Sequence, residues 1–230
     1  MRLIAQMVAR NESNRYLEEV LEHLQSIADV IVFTDDCSTD DTVEIAKSFN
    51  CKVFEAGWDT PLFESDESAL RFAAWKNLEQ IAKPGDWVLG IDADEKLYGT
   101  ERLPELLTQT EYDILGIVHF QMWSRTHFRV DGAWYPHMST RFFRYQEGGT
   151  YKSKQLAGGS EPTYVEDLCR SGKMLQNTGL KIMHLGYARD EDKQAKYDRY
   201  MVLDGGRFHS LPHLQSIIDT NPTLDSWDKV

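Results

Sequence analysis

Along the first half of the chain, short unbroken apolar runs alternate with longer stretches of helical periodicity. Leu3 to Val8 reads as a buried strand, and Val30-Ile31-Val32-Phe33, Lys52 to Glu55 and Asp86 to Ile91 repeat that signal. Between them Leu17, Val20, Leu21, Leu24 and Ile27 recur at helical spacing, with Asn11 and Ser13 available as caps. Asp40 to Phe49 reads as a second helix with Val43, Ala46 and Phe49 on one face. A third is expected from about Asp66 to Lys83, stopped by Pro84-Gly85. This strand–helix succession predicts a mostly parallel sheet with helices on both faces.

The second half has a different rhythm. Pro104 to Leu107 reads as a short helix, Ile114 to Trp123 as the longest strand, and Thr140 to Arg144 and Lys181 to Leu185 as further strands. Gly148 to Gly179 is rich in turn formers and shows no clear period. A helix is expected from Arg189, since Asp190, Glu191 and Asp192 suit the positive end of a helix dipole, and Gly205-Gly206 ends it. Asn221 to Val230 reads as a loosely held tail.

Composition narrows the class. With 230 residues, 41% hydrophobic and 27% charged, the chain fits one globular domain with a sizeable core. Its net charge of -12, from 37 acidic and 25 basic side chains, opposes a general affinity for nucleic acid or anionic membrane. An anionic substrate then needs locally placed arginines or a metal. Cys37, Cys51 and Cys169 form no CxxC pair, which fits a reducing, cytoplasmic compartment. No apolar stretch is long enough to span a bilayer, and Leu3 to Val8 is too short for a signal peptide.

The candidate chemistry sits where strands end. Asp92-Ala93-Asp94 closes the Asp86–Ile91 run, and residues at i and i+2 of a strand face the same way. Two carboxylates are thus expected at a parallel strand's exit, where open α/β sheets bind ligands. Carboxylate oxygens suit hard divalent cations, Mn2+ or Mg2+, which in turn hold phosphorylated substrates. Aspartate also favours caps and turns, and the tripeptide alone does not separate these readings. Asp35 occupies the equivalent exit of the second strand. Ser38, Thr39 and Asp40 account for capping there, and Asp35 is left over. In a parallel sheet the exits share one edge, so Ala9-Arg10-Asn11-Glu12, Asp35 and the Asp92–Asp94 pair are expected along one crevice. His184, at the exit of the last strand, is a further candidate metal ligand.

With these motifs the sequence resembles family 2 glycosyltransferases of the GT-A fold. The resemblance runs from Leu3 to about Leu203. It rests on Val8-Ala9-Arg10-Asn11-Glu12, on Asp35-Asp36-Cys37-Ser38-Thr39-Asp40-Asp41-Thr42, on Gly85 to Glu95, and on His184-Leu185-Gly186-Tyr187. It implies an α/β fold of GT-A type, a Rossmann-like mostly parallel sheet flanked by helices with an irregular α+β acceptor-side half. The corresponding division is a nucleotide-sugar-binding half at residues 1–95, an acceptor-side half at 96–205 and a C-terminal extension at 206–230, all in one domain. The implied activity is metal-dependent, inverting transfer of a sugar from a nucleoside-diphosphate sugar, of UDP type, to a glycan or other hydroxyl acceptor.

The resemblance also implies roles. Ala9, Arg10, Glu12 and Asp35 would contact the nucleoside, Asp92, with Ala93 beside it, the ribose or donor sugar, and Asp94 a divalent metal. A metal there acts as Lewis acid on the negative charge growing on the leaving diphosphate. Arg71, one turn after Glu67, reads either as half of an i,i+4 ion pair or as a contact to diphosphate or base. An inverting transfer further needs an acidic side chain to take the acceptor's proton. Asp131 ranks first on topology and Asp167 second, with Glu161 and Glu166 also in reach of the role. Arg125, Arg129, Arg141 and Arg144 are interspersed with Trp123, Phe128, Trp134, Tyr135, Phe142 and Phe143, a mixture expected to take part in acceptor binding.

Other classes compete. A nucleotidyltransferase wants a glycine-rich loop after the first strand, and Ala9-Arg10-Asn11-Glu12-Ser13 has no glycine. A phosphatase of the Asp-x-Asp type would carry its motif after the first strand. A catalytically inactive nucleotide-sugar-binding module stays open, as does a modified nucleic-acid base as acceptor, which the arginine–aromatic stretch favours and the overall charge opposes.

Overall fold

The computed structural model describes residues 1–63, 65–152, 161–207 and 209–230. Residues 153–160 of the Gly148–Gly179 stretch and Phe208 of the expected C-terminal extension lie outside the described residues. The first half forms β1 (Leu3–Ala9), α1 (Leu17–Gln25), β2 (Val30–Asp35), α2 (Thr42–Ser48), β3 (Lys52–Phe54), α3 (Glu67–Glu79) and β4 (Trp87–Gly90). There follow β5 (Glu95–Tyr98), α4 (Leu103–Thr108), β6 (Ile114–Gln121), β7 (His127–Arg129) and β8 (His137–Arg144). The chain continues through α5 (Tyr164–Arg170), β9 (Met174–Leu175), β10 (Lys181–His184), α6 (Asp190–Leu203), α7 (Leu211–Gln215) and β11 (Leu224–Ser226).

The main sheet runs β3-β2-β1-β4-β8-β6-β10-β5, with β9 alongside β6. Its first four strands are mutually parallel, but β8 is antiparallel to both β4 and β6, and β5 is antiparallel to β10. The sheet is therefore mixed but mostly parallel, as expected: among the described residues seven of its nine strands run one way, and only β8 and β5 run against them. A parallel neighbour needs a long crossover, usually helical. Between β6 and β8 there is only the short β7 and one 3-10 turn, so the chain folds straight back. Because β8 opposes both its neighbours, β4 and β6 run the same way and leave the sheet at the same edge.

Alternation along the strands feeds two cores. Leu3, Ala5 and Met7 of β1 and Trp87 and Leu89 of β4 pack with α1, α2 and α4, whereas Ile4 and Val88 face α3 and α5 through Trp75, Leu78 and Val165. The final stretch is not a loose tail. β11 pairs with β7, and Trp227 packs edge-on against Tyr98 and Phe120. Among the described residues no helix is long and apolar enough to cross a membrane.

Candidate active site

The turn that carries Asp92 and Asp94 joins the middle of the sheet to its far edge. β4 ends at Gly90, and β5 begins at Glu95 beside β10, four places along the sheet. Glu95 pairs with His184, and the Leu185 amide donates to the Asp94 carbonyl at 2.8 Å. This pairing sets Asp94 Oδ1 3.4 Å from His184 Nε2. On its other side β10 pairs with β6, His184 opposite Gln121, and β6 pairs with β8, His119 opposite His137. The period of two then puts His119, Gln121, His137, Ser139 and Arg141 on one face, and all five line one cleft of about 690 Å³. Ala9, Arg10, Glu12, Phe63, Glu67 and Arg71 line its other end, and Asp192, Lys196 and Arg199 of α6 face it as well.

Asp94 is buried. Burial would raise its carboxyl, but the charges of His184, Lys196 and Arg15 outweigh that and hold it well below the usual carboxylate range. Arg15 Nη2 stands 3.5 Å and Lys196 Nζ 3.7 Å from Asp94 Oδ2. His184 Nδ1 is bonded to Gln121 Oε1, an acceptor, so Nδ1 carries a proton and Nε2 is the ring nitrogen that faces Asp94. Gly186 keeps the space between them open: a Cβ there would lie 2.6 Å from Asp94 Oδ2 and 2.5 Å from His184 Nε2. Behind this pair, ligand atoms of Glu95, His119 and His184 lie within 4.8 Å of one another. Glu95 Oε1 and His119 Nε2 are buried and face each other at 3.2 Å, with no other hydrogen-bond partner among the described residues. Burial pushes the His119 imidazole down to about 4, so it is neutral at pH 7. Burial would raise Glu95, but Arg141 and then His119 hold it far below its ordinary value. Carboxylate oxygens and imidazole lone pairs converging in this way suit a divalent cation such as Mn2+.

Asp92 is held differently. Its Oδ1 meets Arg71 and its Oδ2 meets Arg141, each at 3.2 Å. Arg141 also reaches Glu95 at 2.6 Å, and Glu95 Oε2 accepts the Asp92 amide at 2.8 Å. Arg71 keeps its i,i+4 pair with Glu67 at 3.2 Å as well, and it lines the cleft.

At the other end the exits of β1 and β2 are laced together. The amides of Asn11 and Glu12 donate to Ser38 and Thr42, and Ser13 donates to Asp40. Glu12 faces Arg15 at 2.6 Å; burial pushes its carboxyl up to about 7, with Arg15 pulling against it. Ala9, Arg10, Glu12, Arg71, Asp92, Ala93, Asp94 and His184 all line the cleft, and Asp35 does not. Asp35 is buried behind it, with Oδ2 accepting the Ser38 amide at 3.1 Å and Oδ1 without a partner. Its neighbour Asp36 lines the cleft instead, accepting Trp58 Nε1 at 2.8 Å and the amides of Leu62 and Phe63 at 2.9 and 2.8 Å.

The two leading candidates for the proton acceptor are not brought to the cleft. β7 carries the chain away to pair with β11, where Asp131 is tied to Arg129 and to the Thr223 amide at 2.7 Å. Asp167 is exposed on α5 and pairs with Arg170 at 3.0 Å, and Glu166 is beside it. Glu161, by contrast, lines the cleft and takes a hydrogen bond from Thr140. Of the arginine–aromatic stretch only Arg141 reaches the cleft. Arg125 pairs with Glu19, Arg129 is wedged between Trp123 and Trp134, and Arg144 covers Trp87. The sequence reading missed Arg15, Glu95, His119, Gln121 and Lys196. His119 and Gln121, polar residues at i and i+2 in an otherwise apolar strand, were the available signal.

A twisted α/β sheet whose strand exits gather an Asp-x-Asp turn, a histidine and several arginines in one cleft is the GT-A arrangement. The sequence pattern of glycosyl transferase family 2 matches residues 6–167, and the chain belongs to that family. An uncharacterized glycosyltransferase of Rickettsia prowazekii is 33% identical over 91 residues, which cover 40% of this chain and 27% of that protein. An uncharacterized protein of Mycobacterium tuberculosis is 26% identical over 215 residues, 89% of this chain and 51% of that protein. The chain thus spans between about a quarter and a half of these relatives' lengths. S. aureus TarS 1-349 in complex with UDP-GlcNAc shares the fold, with a TM-score of 0.53 at 14% identity over 95% of this chain and 70% of that one.

Proposed function

We propose that this chain moves a sugar from a nucleoside-diphosphate sugar, of UDP type, to a hydroxyl acceptor with inversion, using a divalent cation held by Asp94 and His184. The observation that carries this is the Asp94–His184 pair at 3.4 Å, opened by Gly186 and set between the β1 exit and the β6–β8 face. The GT-A relative TarS holds UDP-GlcNAc, which supports a uracil nucleotide as the donor. Bound there, a cation supplies charge neutralisation to the leaving diphosphate. Arg71 and Arg141 hold Asp92 fixed as an acceptor for hydroxyl groups of the donor. Glu161 replaces Asp131 and Asp167 as the acid that takes the acceptor's proton, because it lines the cleft on the β8 side.

A panel of nucleotide sugars, each offered with Mn2+, Mg2+ or a chelator, tests the reading through release of the nucleoside diphosphate. Release of UDP that needs the cation and disappears in Asp94→Asn is the expected outcome. Tight binding with no turnover, across glycan and other hydroxyl acceptors, would instead mark a binding module.

A further inference from the structure

Arg15, Arg71, Arg141 and Lys196, four cations of the cleft, each lie within ion-pair distance of a cleft carboxylate. Arg199 forms no ion pair with any described residue, although it lines the same cleft. Its Nε is buried without a hydrogen-bond partner. Its guanidinium carbon lies 3.9 Å from the centre of the Phe63 ring and 5.1 Å from that of Tyr200. A guanidinium lying on a ring keeps its N–H groups free in its own plane, the fork that takes phosphate oxygens two at a time. A buried donor of this kind lacks only its acceptor.

Its place along the cleft says which acceptor. On one side Arg199 touches Phe63, whose amide is fixed by Asp36 near the β1 and β2 exits. On the other side, one turn earlier on α6, Lys196 Nζ stands 3.7 Å from Asp94 Oδ2 and 3.3 Å from His184 Nε2. In a nucleotide sugar the diphosphate lies between nucleoside and sugar, so α6 lies over that middle segment. We propose that Arg199 binds the diphosphate of the donor, with Lys196 beside it, and carries part of the charge of the departing group. This rests on the nucleotide-sugar reading of the cleft. It adds to the charge balance a cation that, unlike the other four, is not paired with a described carboxylate.

Calorimetric titration of the whole chain with uridine and with UDP, both in Mn2+, compares the parent with Arg199→Gln and Arg199→Lys. UDP affinity should fall about tenfold or more in R199Q, uridine affinity should stay within about twofold, and R199K should recover part of the loss. UDP binding unchanged in R199Q would overturn the proposal alone, and a raised KM for the acceptor in that variant would reassign the residue to the acceptor. Equal losses for uridine and UDP would also overturn it, since they report a distorted cleft and not a phosphate contact. If the parent binds no nucleoside diphosphate at all, the nucleotide-sugar reading fails and the proposal falls with it.

Discussion

Asp92 and Asp94, two residues apart in one turn, meet different surroundings, because one side chain is spanned by arginines from α3 and β8 while the other faces an imidazole. Only the second stands beside a histidine nitrogen, and that approach depends on an absent side chain. Gly186→Ala puts a methyl group against Asp94, His184 and Lys196, without replacing either of the proposed ligands. Calorimetry with Mn2+ alone should show at least about a tenfold loss of metal affinity in this variant, with the circular dichroism of the parent retained. An alanine variant that binds Mn2+ as the parent does would place the ion elsewhere, and the Glu95–His119 pair would be the next location to examine. The sequence supports Asp94 and His184 as chemistry by their strand-end positions, but not the reason they meet.

That reason is an element, β5, whose residues Glu95-Lys96-Leu97-Tyr98 are half polar and sit at the edge of the sheet. A short strand with one apolar face and one neighbour leaves little periodic signal beside the largely apolar β1, β2 and β4. The buried parallel strands were legible for the opposite reason: both faces are covered, so the run is unbroken. α5 was lost among the turn formers after Gly148, and β11 was lost because its three residues are stabilised by what they pack on, not by their own pattern. Trp227 shows this packing, with its ring 5.3 Å from both Tyr98 and Phe120 and its amide bonded to the Thr126 carbonyl at 2.8 Å. Trp227→Ala should therefore cost about 2–4 kcal/mol in urea unfolding, in the range of large-to-small changes at packed aromatics. A cost below about 0.5 kcal/mol, the level of ordinary surface changes, would mean that the C-terminal stretch is not docked in solution.

At the scale of the whole molecule, Asp86 joins the start of β1 to the start of β4. It accepts Arg2 Nη2 at 2.6 Å, the Arg2 amide at 3.2 Å and the Lys83 amide at 3.0 Å. Burial would raise its carboxyl, but the Arg2 hydrogen bond and the two amides hold it below the ordinary value. A depressed folded-state pKa means that the ionised form favours folding. The stabilisation is full above the unfolded value near pH 4 and is lost as the pH falls below it. Asp86→Asn should thus cost about 1–2 kcal/mol at pH 7, and its gap to the parent should narrow between about pH 4 and pH 2. A gap independent of pH would mean that the charge contributes nothing. The jump from β4 to the far edge also sets an order of events during synthesis. Among the described residues β5 has β10 as its only strand neighbour, and a contact so distant along the chain closes late. A nascent chain that has not yet emerged through β10 already has both aspartates and the loops beside them, but no imidazole opposite Asp94. The His184 side of the cleft is completed only once β10 has emerged, after the parallel strands that lead to Asp94.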